Sequence, residues 1–350
     1  MDLHSSVRNF IRNEIISPEL AFNEVPTTTS AIKKIVADFN KLGWDTRVLD
    51  PEGKPLRHEF SCTNTNEVLK MTGPKVFHHS IRTEQICQRK HLTKKLLELS
   101  HVAVPVGADF TKGEYKAATG YFEMMDSPAV VKPTNSGGSA GVTINVQTPE
   151  EFTRAWKFAK ESGTNDSNIL VEEFVTGVEL RAMVIGHEAV SIVARVQPYV
   201  VGDGSSKISE LIRAVNEERS KHRRAVQMPI RLDWDFIGKQ GHQENSTPDK
   251  DEIVLLNPLP LPAQGALTVD VTAAASPVIK NLAETAVKAI PELEYGGVDI
   301  LVDDIRNATK PVVLEVNTAP SPNLHRYPTH GDSREVLDDI VNHFHQTYGI

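Results

Sequence analysis

Two strand-like runs that follow each other directly set the strongest limit on the fold. Residues 178–186 read VELRAMVIG, residues 189–200 read AVSIVARVQPYV, and the pattern along both is that of an antiparallel pair. A short Gly-His turn joins them, which predicts a β-hairpin. Because these strands are not separated by a helix, a doubly wound parallel sheet is disfavoured. The sequence therefore predicts an α/β (α+β) fold with mixed, largely antiparallel sheets.

Helical patterns occupy much of the remaining chain. Helices are predicted at residues 29–44, 86–100, 147–163, 207–224, 276–290 and 333–344. The best-marked helix start is at Thr148, where Pro149 takes the first helical position and Glu151 completes a capping box. Ser276 is the predicted N-cap of a later helix. The polar stretch 233–252 is predicted to be a loop.

Composition and charge exclude several classes of protein. The 350 residues are 24% charged and 39% hydrophobic, which is ordinary for a globular protein. A net charge of −8 lacks the basic excess of a general nucleic-acid-binding protein. No apolar run has the length of a membrane span, and the N-terminus lacks a signal-peptide core. Cys62 and Cys87 form neither a metal spacing nor a disulfide framework. We therefore expect a cytoplasmic protein without nucleic-acid or membrane partners.

A lysine at the end of a strand-like run precedes a loop rich in glycine and serine. The run AVVK, from Ala129 to Lys132, is followed by PTNSGGSAG and then by a second run, VTINV. Backbone N–H groups and hydroxyls of such a loop can converge on phosphate oxygens, and the lysine adds positive charge. The order differs from that of a P-loop, because the lysine precedes the glycines. On these residues alone, a phosphate-binding loop and a plain hairpin turn are equal alternatives.

A second segment, LVEEFVTGVELR, places acidic residues near the end of a strand. The carboxylates of Glu172 and Glu179 can accept hydrogen bonds from an exocyclic amine or from ribose hydroxyls. Backbone groups near Val175 can pair with an adenine edge. Arg181 lies two residues after Glu179, on the same face of an extended strand, and can hold a carboxylate or phosphoryl group with two hydrogen bonds. A solvated edge strand with outward-pointing charges is the alternative.

The most chemically specific feature is a set of oxygen-bearing side chains on apolar strands. Asp299 lies within GGVDIL, and Glu315 and Asn317 lie two residues apart in VVLEVN, hence on one face. Charged groups on buried strands are costly unless they are paired or bound to a metal. Two carboxylates and an amide carbonyl suit Mg²⁺ or Mn²⁺ better than zinc. The metal site is favoured over the alternative, in which arginine or backbone N–H groups satisfy the carboxylates.

The order of these three features along the chain resembles that of the ATP-grasp superfamily of carboxylate–amine ligases. The resemblance is strongest to the ATP-grasp part of cyanophycin synthetases and to glutathione-synthetase-like ligases. It extends from about residue 80 to the C-terminus. The segments that carry it include VVKPTNSGGSAGVTINV, LVEEFVTGVELRAMVIG, RVQPYVVGDGSSKISELI, GGVDILV and EVNTAPSPNLHRYPTHG.

The resemblance implies a three-lobed ATP-grasp fold that clamps ATP, with lobes at residues 1–88, 89–172 and 173–350. Carried over by position, the nucleotide-binding residues would be Lys90, Lys132, Glu172, Val175 and Glu179, with Ser136, Gly137, Gly138 and Ser139 as the lid over the phosphates. Asp299, Glu315 and Asn317 would hold two Mg²⁺ ions, with Mn²⁺ as an alternative. Arg181 would face the reacting acyl phosphate, and Arg195 would contact a substrate carboxylate or phosphate.

The implied activity is ATP-dependent amide-bond formation through an acyl phosphate, with release of ADP and phosphate. Amino acids or small peptides are the expected acid and amine substrates, and a homo-oligomer, dimer or tetramer, is expected. An ATP-grasp phosphotransferase and a non-catalytic ATP-binding protein are the alternatives. Cyanophycin synthetases carry a further Mur-ligase-like domain, which this sequence lacks, so a single ligation step is expected.

Two departures and one basic segment qualify the resemblance. Arg89 and Ser321 stand where the subgroup has an acidic residue and a glycine, respectively, and the second departure concerns the local turn. Residues 207–231 hold seven lysine and arginine side chains. A solvated helix face is the favoured explanation for this segment, and docking of an acidic substrate or carrier is the alternative.

Overall fold

The computed structural model describes residues 3–50, 57–135 and 140–350. Its helices are α1 (Ser5–Phe10), α2 (Ala31–Lys41), α3 (Ile81–Gln88), α4 (Lys90–Leu99), α5 (Tyr115–Glu123), α6 (Pro149–Ser162), α7 (Ile208–Ser220), α8 (Arg223–Gln227), α9 (Trp234–Lys239), α10 (Pro277–Lys288), α11 (Asn323–Arg326) and α12 (Val336–Tyr348). A π-helical turn, Ile11–Ile16, continues α1, and a 3₁₀ turn spans Pro262–Gln264.

Three main sheets and one two-stranded ribbon organise the chain. The first sheet has the order β1-β2-β3-β4, with β1 Trp44–Asp50, β2 Arg57–Cys62, β3 Val68–Thr72 and β4 Lys75–Phe77. The second has the order β5-β8-β6-β7, with β5 Gly107–Phe110, β6 Ala129–Pro133, β7 Thr143–Val146 and β8 Ile169–Glu173. The third has the order β13-β10-β9-β14-β15, with β9 Val178–Ile185, β10 Glu188–Val196, β13 Leu267–Asp270, β14 Tyr295–Val302 and β15 Val312–Asn317. The ribbon pairs β11 Tyr199–Val201 with β12 Ile253–Leu255.

All strand pairs assigned between these described elements are antiparallel. The predicted hairpin is β9–β10, and its two turn residues have positive φ, +58° at Gly186 and +67° at His187. Two successive positive φ values are what a tight turn needs to match the twist of the flanking strands. The prediction of largely antiparallel mixed sheets is confirmed.

Packing assigns several helices to cores that are distant in sequence. The π-helical turn buries Ile11 and Ile15 in the core beneath the third sheet, and α4 adds Leu97 to the same core. The C-terminal helix α12 instead packs against α2, and its Phe344 lies in one cluster with Phe39 of α2 and Phe60 of the first sheet. The second sheet has its own core around Phe152 and Trp156 of α6. The lobe boundaries 1–88, 89–172 and 173–350 remain a prediction, because helices at both chain ends pack across them.

The capping box of α6 is confirmed. The Thr148 hydroxyl accepts a hydrogen bond from the Glu151 backbone N–H, and the Glu151 carboxylate accepts one from that of Thr148. Ser276 is correctly placed at the start of α10, but its hydroxyl is buried without a hydrogen-bond partner among the described residues. Its backbone N–H donates to the Ile305 carbonyl instead, which is a tertiary contact.

Three local predictions were wrong in detail. The helix predicted at 86–100 is two helices, because Arg89 is extended and the next N–H donates to the Thr134 carbonyl. The helix predicted at 207–224 ends at Ser220 and resumes at Arg223. The predicted loop 233–252 contains α9, whose N-cap, Asp233, accepts a hydrogen bond from the Phe236 N–H.

Candidate active site

A cavity of about 600 Å³ opens between the second and third sheets. Lys132 and Glu172 line it from the second sheet, and Glu179, Asp299 and Glu315 line it from the third. The cavity thus contains residues from all three motifs that the sequence analysis singled out, although those motifs are far apart in the chain.

A buried carboxylate between two lysines forms the second-sheet wall. Glu172 is 2% exposed, and its two carboxylate oxygens accept hydrogen bonds from the ammonium groups of Lys94 and Lys132. Lys94 also donates to the Pro105 carbonyl at 2.8 Å. Burial raises the pKa of Glu172, but the two ammonium groups outweigh burial and hold that pKa below its usual range. The carboxylate is therefore ionised and holds the two lysines at the wall of the cavity.

The opposite wall carries charged side chains on four neighbouring strands. In the register of the third sheet, Arg195 on β10 faces Glu179 on β9, and Arg181 on β9 faces Asp299 on β14. Asp299 in turn faces Glu315 on β15. Directly opposed residues of antiparallel strands share a face, so these five side chains form one continuous polar row.

Asp299 is held by both arginines of this row. Arg181 donates to its two carboxylate oxygens in a bidentate arrangement, and NH2 of Arg195 lies 3.0 Å from one of them. Burial raises the pKa of Asp299, but the guanidinium groups of Arg181 and Arg195 outweigh it and lower the pKa. Burial raises the pKa of Glu179, which pairs with Arg195 but also lies near the Asp299 carboxylate.

The glycine at position 297 allows Arg181 to lie across the sheet. A Cβ at Gly297 would be 2.5 Å from Pro320 Cβ and 3.1 Å from Arg181 Cδ. Real Cβ atoms do not approach other carbons as closely as the first of these distances. Any larger residue would therefore displace the arginine or the turn that contains Pro320.

The expected metal-binding residues lie together at the cavity, although both carboxylate oxygens of Asp299 accept hydrogen bonds from Arg181, which is the arrangement given above as the alternative to a metal site. Glu315 and Asn317 both line the cavity, and Asn317 Nδ2 lies 3.4 Å from Asp299 Oδ2. The Glu315 carboxylate has a lysine neighbour, Lys90, at 3.5 Å, and its side chain is 32% exposed. No group of three Asp, Glu, His or Cys side chains within the described ranges is arranged to hold a metal alone. Mg²⁺ typically takes one or two protein carboxylates and completes its shell with substrate phosphates and water, which this set allows.

Behind the polar row lies a fully buried histidine, His325, on α11. Its Nδ1 is 2.7 Å from the Ser191 hydroxyl. Burial lowers the pKa of His325 to about 3, and the neighbouring Arg181 and Arg195 contribute to that decrease. The imidazole is therefore neutral.

Similarity to known proteins connects this cavity to a family. Residues 99–207 match the family described as D-ala D-ala ligase C-terminus. The chain is 28% identical over 336 residues to a glutathione biosynthesis bifunctional protein of Pasteurella multocida, covering 92% of this chain and 43% of that protein. It is 29% identical over 281 residues to a cyanophycin synthetase of Synechocystis, covering 76% and 31%, respectively. The chain is a relative of the ATP-grasp ligases. The chain spans less than half the length of these curated relatives.

A solved structure supports the ATP-grasp fold independently. The crystal structure of a bifunctional glutathione synthetase from Pasteurella multocida superposes with a TM-score of 0.62 at 24% identity. The superposition covers 91% of this chain and 43% of that chain. The predicted ATP-grasp fold is therefore confirmed. No helix within the described residues is long and apolar enough to span a membrane.

The expected site residues of this ATP-grasp chain lie around one cavity, with one exception. The cavity is lined by Lys90, Lys132, Glu172, Val175, Glu179, Arg181, Arg195, Asp299, Glu315 and Asn317. The expected lid, Ser136 to Ser139, lies outside the described residues. The oxygens of Glu172 are taken by lysines, so its expected role at adenine stays a prediction.

Sequence reasoning missed Lys94, which holds Glu172 without lining the cavity, and two parts of the cavity wall. Lys94 lies four residues after Lys90 on α4, and that spacing could have shown that both lysines share a helix face. The proline-rich segment 258–263 and Arg224 also line the cavity. No local signal marks the proline-rich segment, whereas Arg224 lies in the basic segment 207–231, for which docking of an acidic substrate was the alternative.

Proposed function

We propose that this chain is an ATP-dependent ligase that joins a carboxylate substrate to an amine, with release of ADP and phosphate. The observation that carries the proposal is the cavity itself, where a Lys–Glu–Lys cluster faces a row of three carboxylates and two arginines. The relationship to ATP-grasp ligases supports the same reaction.

In this proposal the second-sheet wall receives the nucleotide. Lys90 and Lys132 contact the phosphates of ATP, and Lys94 reinforces their charge through Glu172. Val130 and Ile144 offer an apolar wall for the adenine ring. The backbone N–H of Val175 has no hydrogen-bond acceptor among the described residues, and it is available to an adenine edge. Glu179 accepts hydrogen bonds from the ribose hydroxyls.

Asp299, Glu315 and Asn317 are the proposed ligands of Mg²⁺, with Mn²⁺ as an alternative. When bound, a divalent ion neutralises charge on the phosphate oxygens. Asp299 also orients Arg181 and Arg195 toward the cavity through its hydrogen bonds and ion pairs with them. The Glu315 carboxylate is more accessible than that of Asp299 and is expected to contribute more directly to ion binding.

The proposed reaction has two steps. An oxygen of the acid's carboxylate attacks the γ-phosphorus of ATP, ADP leaves, and an acyl phosphate forms. The amine nitrogen then attacks the acyl carbon, loses a proton, and expels phosphate. Arg181 and Arg195 are positioned to stabilise negative charge on the transferring phosphoryl group and on the tetrahedral intermediate. Closing the cavity excludes water, which would otherwise hydrolyse the acyl phosphate.

Amino acids or small peptides are the proposed substrates, and a dimer or tetramer is the proposed assembly. A glutathione synthetase and a cyanophycin synthetase among the relatives are consistent with amino-acid-derived substrates. Sedimentation analysis of the purified chain measures the assembly state, and a monomer would contradict that part of the proposal.

The test of function is a screen for nucleotide products. The purified chain is incubated with ATP, Mg²⁺ and pairs of amino acids or dipeptides, and ADP, phosphate and new amides are measured by coupled assay and mass spectrometry. A ligase releases ADP and phosphate when both an acid and an amine are present. Release of AMP and pyrophosphate would show adenylation instead. A phosphorylated product without free phosphate would identify a phosphotransferase.

A further inference from the structure

Among the described residues that line the cavity, one cation is not matched by an acidic side chain. Five of these lining residues are lysine or arginine, and four of the five face a carboxylate already described. The fifth is Arg224 on α8. Within the part of the chain that the structure describes, its guanidinium has neither an ion pair nor a hydrogen bond.

The surroundings of Arg224 make a guanidinium without a counter-charge costly. The side chain is half-buried, and Arg326 lies close enough to repel it. Burial lowers the pKa of Arg224, the Tyr327 phenol opposes that effect, and Arg326 adds to it. Arg326 already has an acidic partner, because its Nη2 donates a hydrogen bond to the Glu335 carboxylate at 3.1 Å. A partly desolvated guanidinium without a counter-charge loses hydration without compensation.

The position of Arg224 separates it from the nucleotide wall. Met228, directly after α8, lines the cavity beside it together with Leu261 and Leu324, so an anion bound there would be partly shielded from water. Arg224 also borders a small adjoining pocket with Tyr327 and Leu324, and no phosphate-facing lysine lines that pocket. An ion pair in such apolar surroundings is less screened than one at the surface.

We propose that Arg224 binds a carboxylate of a substrate that does not itself react. The ligase would then select a substrate that carries an additional carboxylate, one that does not form the amide bond. This substrate could be either the acid or the amine of the reaction. A guanidinium suits this task because its planar fork matches the two oxygens of a carboxylate. The proposal rests on the proposed ligase function and specifies the substrate class for the same cavity.

The kinetic test compares matched substrates on wild type and Arg224→Gln. The matched pairs are aspartate and asparagine, glutamate and glutamine, and amino acids and their carboxamides. Each compound is supplied once as the acid substrate and once as the amine substrate in the ADP-release assay. We expect wild type to prefer the members with the additional carboxylate. Arg224→Gln should raise the KM of that substrate about tenfold to a hundredfold, as expected for a lost charge-assisted hydrogen bond. The KM of ATP should stay within about twofold.

A matched control lies next to Arg224 on the same helix. Arg223 is exposed, does not line the cavity, and contacts Val25 only through its backbone N–H. Arg223→Gln makes the same change of charge and should leave both substrate KM values unaltered. Arg224→Lys keeps the charge but loses the planar fork, so its KM should lie between those of wild type and Arg224→Gln.

A binding measurement keeps the proposal testable where turnover is low. Thermal shifts of wild type and Arg224→Gln are recorded with ADP present and with aspartate, glutamate, asparagine or glutamine as the probe. Stabilisation by an acidic probe but not by its amide, lost in Arg224→Gln, supports the proposal. Equal shifts in both proteins, or no shift of wild type with any probe, overturns it.

Three outcomes separate failure of this inference from failure of the ligase function. ADP release that requires both an acid and an amine, with KM values unchanged in Arg224→Gln, would retain the ligase and remove the carboxylate site. A lower Tm of Arg224→Gln with unchanged KM values would show that Arg224 supports the fold and does not bind substrate, which overturns the inference. Absence of ADP release with every pair, together with selective binding of an acidic probe, would retain the site and remove the ligase.

Discussion

At the level of single residues, Glu172 connects stability to the nucleotide wall. Its carboxylate is the acidic partner of both Lys94 and Lys132. We expect Glu172→Gln to reduce the free energy of unfolding by about 3 kcal/mol, because removal of one member of a buried ion cluster leaves uncompensated charge. Urea denaturation at pH 7 measures the change. Glu173→Gln is the control, since Glu173 is half-buried and accepts a hydrogen bond from the Val106 N–H. Equal effects of the two substitutions would contradict the expectation.

The same carboxylate has a predictable dependence on pH. The pKa of Glu172 is lower in the folded chain than in the unfolded chain, where glutamate has a pKa of about 4.3. A lowered folded pKa contributes stability that is present above the unfolded pKa and is lost as the pH falls toward the folded pKa. Stability should therefore fall below about pH 5. The fall should be smaller in Glu172→Gln, and denaturation curves at pH 7, 5 and 4 measure the difference.

Glu315 should affect catalysis much more than stability. Its side chain is 32% exposed, and Lys90 at 3.5 Å is a loose ion-pair partner. We expect Glu315→Gln to reduce turnover roughly a hundred- to a thousandfold, as loss of one electrostatic contact to the reacting group does. Its Tm should change little, because a loose ion pair with a partly exposed carboxylate contributes little to folding. ADP release with titrated Mg²⁺ and a thermal melt provide both values. Normal turnover at limiting Mg²⁺ would exclude Glu315 as a metal ligand.

At the level of secondary-structure elements, the close approach of β14 and the turn at Pro320 determines the position of Arg181. Gly297→Ala would place a Cβ 2.5 Å from Pro320 Cβ, so the turn or the arginine must move. We expect a lower kcat together with a modest loss of Tm. Gly120→Ala is the control, because no atom lies within 4 Å of a Cβ at that position of α5. Alanine in a helix should raise Tm slightly. Unchanged kcat in Gly297→Ala would show that the site tolerates the shift.

Local sequence signals were sufficient for elements whose hydrogen bonds are local. The capping box at Thr148 and the two-residue turn at Gly186 are correct, because each is built from neighbouring residues. The break at Arg89 had no local signal, since it depends on a hydrogen bond from Lys90 to Thr134. The short helix α9 was hidden by its polar composition, although Asp233 is a standard N-cap residue.

At the level of the whole molecule, the cavity between two sheets links nucleotide binding to stability. A ligand that binds only the folded chain at a hundredfold excess over its Kd stabilises it by about 2.7 kcal/mol. We expect ADP with Mg²⁺ to raise the Tm of wild type and to have a much smaller effect on Lys132→Ala. Lys116→Ala, an exposed lysine on α5, is the control. A wild-type shift in Lys132→Ala would mean that the lysine does not contact nucleotide.

The sequence by itself determined the alternation of strands and helices, the antiparallel hairpin and the three polar motifs. Glu315 and Asn317 could be placed on one face because strand side chains alternate with a period of two. The ATP-grasp relationship also followed from the order of motifs along the chain. These inferences needed only local spacing or linear order.

Only the tertiary structure decided which charges meet. The register of four strands pairs Arg181 with Asp299 and brings Glu315 beside them. The approach of α4 to the second sheet places Lys94 on Glu172. Such contacts join residues far apart in sequence, and their geometry depends on how sheets and helices pack. No local sequence pattern predicts that packing. The same reason explains why Arg224, in an apparently solvated basic segment, lines the cavity only in the folded chain.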